Sequence, residues 1–453
     1  MPRLHDFLTT VQLFARRRLA RDRVLFVCVC VLGMSLALLA VSFATADGGR
    51  TVFGPNLGAD YAQFYAAGTI LNRGQPDQLY NFESQNRLYH ETLPAAEAQE
   101  SLPYVHPPFV AFAMRPLALL PYAWSFGAWL VISAGLYAAG LALTLKQAPG
   151  LPPADRLIAV LLALSFEPFI MECWLGGQLS AFGFFSLAAA FSCWQTRRPF
   201  MAGLALGLCL YKPTLLVLVI PLLMVAGRWR MFAGFIATGL GLVAVCLLTV
   251  GWHGCVDYVG ILAGFARFTT EGGGAVLPLP KYADLNSFFG LLLGHHPLVN
   301  RALLLAIAGA PLLLLAAAWW RVERGGDDYH RLVWGSTLVW TLVVNVYVGI
   351  YDTVMAAAAA LLAVAVCAVR DGGGRLSLPA GLQALLVLLY VVPWVTQPLA
   401  RWVGFQPYTL VLLALGAYLL ARIRRTPVVE TGSGRDKNSS PDGELDVQEA
   451  LAH

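Results

Sequence analysis

Charge is scarce in this chain. Only 13% of its 453 residues are Asp, Glu, Lys or Arg, against about a quarter in a soluble globular domain. Lysine is especially rare, occurring only at Lys146, Lys212, Lys281 and Lys437. Such a chain cannot cover itself with a solvated charged surface. The net charge of +5 forms no basic stripe with interleaved aromatics, so nucleic acid is excluded as a partner. A metal centre is not indicated either: Cys28, Cys30, Cys173, Cys193, Cys209, Cys246, Cys255 and Cys367 show no ligand spacing with histidine. Most of them lie in apolar runs and read as small apolar fillers. Only Cys173 and Cys255 fall near predicted outer loops, where a disulfide is conceivable. His295-His296 lacks a third ligand nearby. Also missing are a Gly-rich phosphate loop, which leaves no cofactor implied, and an internal repeat.

What the chain has instead is apolar residues, 58% of the total, with a mean hydropathy of +0.65. They come in recurrent runs separated by short arginine clusters, the pattern of the positive-inside rule. Ten clear spanning segments emerge at 24–46, 123–145, 157–174, 178–195, 231–251, 301–320, 332–350, 353–369, 378–397 and 408–421. The first follows Arg16, Arg17, Arg18, Arg21 and Arg23 and ends in Ala44-Thr45-Ala46, as a signal peptide does. It is long enough to cross a bilayer, so it reads as an uncleaved helix with a cytoplasmic N-terminus.

Two stretches need separate treatment. Segment 109–121 is short and interrupted by Arg115-Pro116, so it reads as a half-helix or interfacial helix. Segment 199–227 carries arginine at both ends and Lys212-Pro213 in the middle. One long kinked span is an option, but equal charge at both ends favours two half-helices in a re-entrant hairpin. The fold class is therefore an all-α polytopic bundle of about 10–12 membrane helices with a large first outer loop, 47–122, and a second one at 252–300. The expected organisation is a basic segment 1–23, a membrane domain 24–425 and a disordered polar tail 426–453.

Distinctive polar residues gather near the predicted outer face. Asp60 opens a short helix in Gly58-Ala59-Asp60-Tyr61-Ala62-Gln63-Phe64-Tyr65. The carboxylate can serve as a general base for a sugar hydroxyl; on spacing alone a helix cap comes first. His106, in Tyr104-Val105-His106-Pro107-Pro108, can orient a substrate, bind phosphate or make a local hydrogen bond. Glu167 and Glu172 precede Gly176-Gly177-Gln178, and an acid within a span faces a cavity or a partner. Lys212 suits a lipid-linked phosphate, or else it snorkels. Asn286-Ser287, Asn345, Tyr347, Tyr351 and Asp352 complete the set, the last two also reading as a tight turn.

In order along the chain, these motifs resemble glycosyltransferase family 87. The resemblance rests on Asp60-Tyr61 through Tyr65-Ala66-Ala67-Gly68, Gly74, Leu79-Tyr80, His106-Pro107-Pro108, Pro116-Leu117 and Leu120-Pro121. It continues with Gly177-Gln178, Ala202-Gly203, Gly207-Leu208, Lys212-Pro213 and Asn286-Ser287. His106 stands where the family has Tyr, and Tyr351-Asp352 where many members have a histidine-containing segment. The resemblance implies a C-type (GT-C) membrane fold and transfer of a sugar, mannose first, from a polyprenyl-phosphate donor to a glycan or glycolipid acceptor with inversion. It implies Asp60 as the base; Tyr61, Tyr65, His106, Gln178, Lys212, Asn286, Tyr351 and Asp352 are the expected substrate-binding residues. Lys212 as the phosphate ligand is a physical inference. Membrane lipids are the surrounding partners. The excess of Arg over Lys points to a GC-rich bacterium, hence an inner-membrane location with the site facing the periplasm. A transporter or lipid flippase is the competing class; the missing repeat and the outer-face location of the polar residues weigh against it.

Overall fold

The computed structural model describes residues 21–96, 103–268, 279–294, 296–346, 348–370 and 376–427. The Arg16–Arg18 cluster, the Gly272–Gly274 run, His295, Tyr347 and the tail beyond 427 lie outside the described residues. The chain is an all-α polytopic membrane protein, with one two-residue β pair among the described residues, joining Val369–Arg370 to Leu376–Ser377. Six described helices are long and apolar enough to cross a membrane: Arg21–Thr45, Tyr122–Lys146, Trp229–Gly264, Leu298–Trp320, Ile350–Cys367 and Pro407–Arg425. Counting each of two bent helix pairs as one span brings the number to eight.

The remaining expected spans are short or broken, and proline accounts for much of this. Segment 157–174 becomes helix Pro153–Leu164 and a π-helical Pro168–Leu175, bent by 49°. Segment 378–397 becomes Ala380–Val391 and Pro393–Val403, bent by 66°. Each second piece starts with a proline, which removes a helical hydrogen bond. Helix Ser180–Gln195 has 16 residues, about 24 Å at 1.5 Å per residue, short of a bilayer core of about 30 Å.

Segment 199–227 is a re-entrant hairpin. Its first limb, Pro199–Gly207, runs parallel to Trp229–Phe268. Phe200 and Leu204 lie against Gly234, Gly203 against Met231 and Phe235, and Gly207 against Thr238. The Thr238 hydroxyl donates to the Leu204 carbonyl at 3.0 Å. Two parallel neighbours in sequence require the chain between them to return, and Pro213–Leu216 and Val219–Val225 make that return. Both ends of the hairpin meet at one pole of the bundle. There Arg228 lies 5.8 Å over the Trp194 ring, close before Arg197-Arg198, and pairs with Glu323. Trp194 stacks on Trp319 (5.3 Å) and His330 (4.9 Å). Three arginine clusters thus converge at this pole, as expected of the cytoplasmic side. Lys212, at the hairpin tip, lies towards the other.

The first outer loop is built of helices Tyr61–Asn72, Phe82–Thr92 and Pro108–Met114. The last is the expected half-helix. The second outer loop, expected from residue 252 with short helical segments on either side of its Gly- and Pro-rich stretch, starts at a break in the helix. Gly251 breaks the Trp229–Phe268 helix at φ 68°, and the chain resumes helical structure to Phe268. A left-handed glycine costs little there and lets Tyr258 stack beside Tyr80, ring centroids 5.8 Å apart.

A side chain at Gly203 would collide with the backbone of Met231 and Phe235, which cannot step aside. We expect Gly203→Leu to cost about 1–3 kcal/mol and lower the thermal midpoint in detergent, whereas Gly241→Ala, with open space around it, leaves the midpoint nearly unchanged.

Candidate functional site

The site forms at the start of helix Ser180–Gln195. The π-helical stretch Pro168–Leu175 ends at Gly176-Gly177, where Gly177 has φ 74° and no room for a β-carbon against Tyr61 and Gly58. This contact presses the turn onto Asp60, whose backbone N–H donates to the Gly176 carbonyl at 3.1 Å. The next residue, Gln178, donates through Nε2 to the Asp60 carboxylate at 2.5 Å. Asp60 precedes helix Tyr61–Asn72 but makes no side-chain cap bond, and its φ −73°, ψ −13° are helical where a capping residue is extended. The cap expected from spacing is therefore overturned. Ala59 before it has φ 36°, a strained value of the kind found at functional sites.

Two positions beyond Gln178, the Ser180 hydroxyl donates to Asp352 Oδ1 at 2.8 Å. The other carboxylate oxygen of Asp352 is ion-paired with Lys212 Nζ. Asp352 is wholly buried, and the Lys212 side chain is 17% exposed. Lys212 Nζ also lies 4.6 Å from the Tyr351 ring centroid, a favourable cation–π position. Gln178 and Ser180 thus bring Asp60 and Lys212 to the same end of one helix. Lysine carries three N–H donors, so the contact with Asp352 leaves donors for a ligand anion.

His106 joins the Lys212 side. Its Nδ1 donates to the Tyr211 carbonyl at 3.4 Å, and its ring lies 5.0 Å from Phe64. Burial pushes the imidazole down to about 4, and the Lys212 ammonium acts in the same direction. His106 is neutral at physiological pH.

Tyr61 and Tyr65 face different partners. The Tyr61 hydroxyl meets Ser125 Oγ at 2.6 Å and its ring stacks on Trp129 at 6.0 Å. Tyr65 donates to the Leu120 carbonyl at 2.9 Å. These contacts brace the Asp60 helix against Tyr122–Lys146. Asn286 is half-buried in helix Leu285–Leu293. Asn345 donates to Thr214 in the hairpin's return limb at 2.7 Å. Glu167 is buried with one oxygen unbonded, whereas Glu172 accepts from Gln397 Nε2 at 2.5 Å.

Sequence reasoning passed over Asp284 and Tyr282. Asp284 caps helix Leu285–Leu293 through Ser287 N–H (2.8 Å) and Ser287 Oγ (3.0 Å), and accepts from Val348 N–H (2.9 Å). It ties the second outer loop to the segment carrying Tyr351-Asp352. Burial raises its carboxyl to about 6. An Asp three residues before Ser at a helix start is a readable cap signal. Tyr282 pairs with Gly349 across an isolated bridge and lies within electrostatic reach of Asp60 and Lys212; no local signal marks it. Among the described residues no three His, Cys, Asp or Glu side chains form a metal-binding group, and the eight cysteines, Cys173 and Cys255 included, are free thiols.

Fold and site define a membrane-embedded bundle with an acid–amide pair and a lysine–carboxylate pair gathered at one end of helix Ser180–Gln195. The model for glycosyltransferase family 87 matches residues 104–345, more than half of the chain, and the chain belongs to that family. It is a membrane glycosyltransferase. The matched stretch holds His106, Gln178, Lys212 and Asn286; Asp60 precedes it and Tyr351-Asp352 follow it. No curated protein matches the chain, and neither does any solved structure.

Two predictions follow from the geometry. Lys212→Met leaves the Asp352 carboxylate buried without its counter-charge, at a cost of about 3–5 kcal/mol. Adding Asp352→Asn should restore most of the thermal stability in detergent; a double variant no more stable than the single one would contradict the pairing. The second concerns pH. The folded-state value of His106 lies below its ordinary 6.5, so its contribution to stability is present above pH 6.5 and is lost as pH falls towards 4. His106→Gln should flatten that limb of a plot of thermal midpoint against pH.

Proposed function

We propose that this protein transfers a sugar from a polyprenyl-phosphate donor to a hydroxyl of an extracytoplasmic glycan or glycolipid, with inversion. The observation that carries this reading is the uncapped Asp60 carboxylate, held by Gln178 on the same helix start that positions Lys212 through Ser180 and Asp352. Asp60 removes the proton from the acceptor hydroxyl, whose oxygen attacks the anomeric carbon. The bond from that carbon to the phosphate oxygen breaks, and polyprenyl phosphate leaves with the electron pair. A single displacement inverts the configuration.

Lys212 faces the charge that develops on the leaving phosphate, with its donors in place before reaction. Asp352 and Tyr351 hold the ammonium, neutral His106 lines its side, and Gln178 orients the base. Tyr61 and Tyr65 keep the Asp60 helix in register with its neighbour. Asn286 lies in the helix below the second outer loop, where the acceptor enters. Bringing both substrates into one pocket supplies much of the rate enhancement, because the reacting atoms no longer have to find each other.

Mannose is the sugar we assign first, which makes the protein a hexosyltransferase of the bacterial inner membrane with its site facing the periplasm. In this reading residues 24–425 form the catalytic membrane unit, flanked by a basic cytoplasmic segment at 1–23 and a polar tail at 426–453. The test is direct. Purified protein is incubated with a panel of polyprenyl-phosphate sugars, and products are identified by mass spectrometry. Asp60→Asn should lower turnover by about 10²–10⁴ while lipid binding persists; a variant that keeps wild-type turnover removes Asp60 from the chemistry.

A further inference from the structure

Helix Pro393–Val403 departs by 66° from Ala380–Val391 and is amphipathic. Pro393, Thr396 and Ala400 are buried, whereas Val395, Leu399, Trp402 (84% exposed) and Val403 form an exposed apolar edge at helical spacing i, i+4, i+7, i+8. A helix of this kind, oblique to the spans, lies at the lipid–water boundary. It sits at the outer end, because Gln397 bonds Glu172 at 2.5 Å and helix Pro393–Val403 packs against Leu279–Lys281. Gln406, just beyond it, donates to the carbonyls of Pro280 (3.0 Å) and Tyr282 (3.1 Å).

An open groove of about 320 Å³ runs along this helix, lined by Gln397, Pro398, Arg401 and Trp402. Arg401 and Lys281 both stand within electrostatic reach of Glu172, yet neither forms an ion pair among the described residues. Glu172 itself is engaged by Gln397 and lies within reach of Asp60. Two cations therefore face one carboxylate, at a place where an apolar edge meets the polar site. A second groove, lined by Leu120, Pro121, Trp124, Gly127, Ala128 and Val131, presents no charged group.

Resting on the glycosyl-transfer reading above, we propose that the groove of helix Pro393–Val403 is the entry site for the phosphate end of the isoprenoid donor. Arg401 and Lys281 receive the phosphate at the lipid boundary. The first isoprene units lie on Leu399 and Trp402. The Gln397–Glu172 step leads inwards to Asp60, and Lys212 takes the phosphate only at the reacting position. Capture and reaction thus use different cations. That division follows from charge: Lys212 is already countered by Asp352 and is mostly buried, so it offers little long-range attraction to an arriving anion.

The test uses full-length protein in phosphatidylcholine nanodiscs and measures two things: equilibrium binding of radiolabelled polyprenyl phosphate without a sugar, and transfer kinetics. The variant Lys281→Gln/Arg401→Gln changes two side chains that carry no ion pair among the described residues. We expect it to weaken lipid-phosphate binding about tenfold, a loss on the scale of the charge-assisted bonds removed, and to raise the donor KM while kcat and the acceptor KM hold. Unchanged binding in the variant overturns the proposal, and so does a rise confined to the acceptor KM. Displacement of the labelled lipid by an equal mole fraction of phosphatidylglycerol, or by inorganic phosphate, also overturns it, because the groove would then be a general anion site. If wild-type protein binds polyprenyl phosphate in an Arg401-dependent way but forms no glycosidic bond, the transferase reading fails and the groove assignment stands. If sugar transfer is robust and the variant matches wild type, the reverse holds.

Discussion

An ammonium group among apolar helices needs a counter-charge, and Asp352 supplies it to Lys212. Inserting a lone lysine at mid-membrane costs about 2.5–3.5 kcal/mol on translocation scales, and an aspartate costs a similar amount. Paired, and with Ser180 satisfying the second carboxylate oxygen, the two become tolerable. The pair also joins three elements far apart in sequence: the hairpin tip, the start of helix Ser180–Gln195 and the turn before Met355–Cys367. Because Gln178 lies two positions before Ser180, the same helix start positions Asp60. Disturbing one carboxylate therefore disturbs the setting of the other.

The membrane architecture serves this arrangement by breaking helices on purpose. Pro168, Pro213 and Pro393 each begin a new segment close to a residue of the site or to the groove beside Arg401. Gly177 lets the chain turn tightly beneath Tyr61, and Gly251 redirects the long helix below the first outer loop. Regular full-length spans would carry their polar side chains into lipid. Short helices and a re-entrant hairpin instead end inside the bundle, where irregular backbone can be surrounded by protein. The opposite pole is regular and basic, held by stacked Trp194, Trp319 and His330, so the protein is polarised between a fixed basic pole and an assembled polar end.

The polar residues at the outer end divide by environment. Asp352, Asp284 and Gln178 are buried and have their bonding capacity committed to neighbours, which makes them framework for the site. Asp60, His106 and Lys212 are each half-buried, accessible from one side and braced from the other. Arg401 lines the groove beside helix Pro393–Val403, and both it and Lys281 lie within electrostatic reach of Glu172. On the reading proposed above, a lipid-linked phosphate would pass from these cations to the held base without its chain leaving apolar surroundings.

Much of the scaffold was legible in the residues alone, because the signals are local. Apolar run length set the first span and Tyr122–Lys146, and equal charge at both ends of 199–227 anticipated the hairpin. Asp60, His106, Gln178 and Lys212 were conspicuous as polar residues bordering apolar runs. Their partners were not. Lys212 and Asp352 are 140 positions apart, and Asp60 and Gln178 are 118; no periodicity connects such residues. Sequence therefore determined a membrane bundle with candidate polar groups at the borders of its apolar runs, since hydropathy and charge are properties of each segment by itself. Only the tertiary structure decided that Asp60 faces Gln178 instead of capping its helix, that Asp352 is committed to Lys212, and that Arg401 and Lys281 form no ion pair among the described residues, because each of these depends on which segments the folded chain brings together.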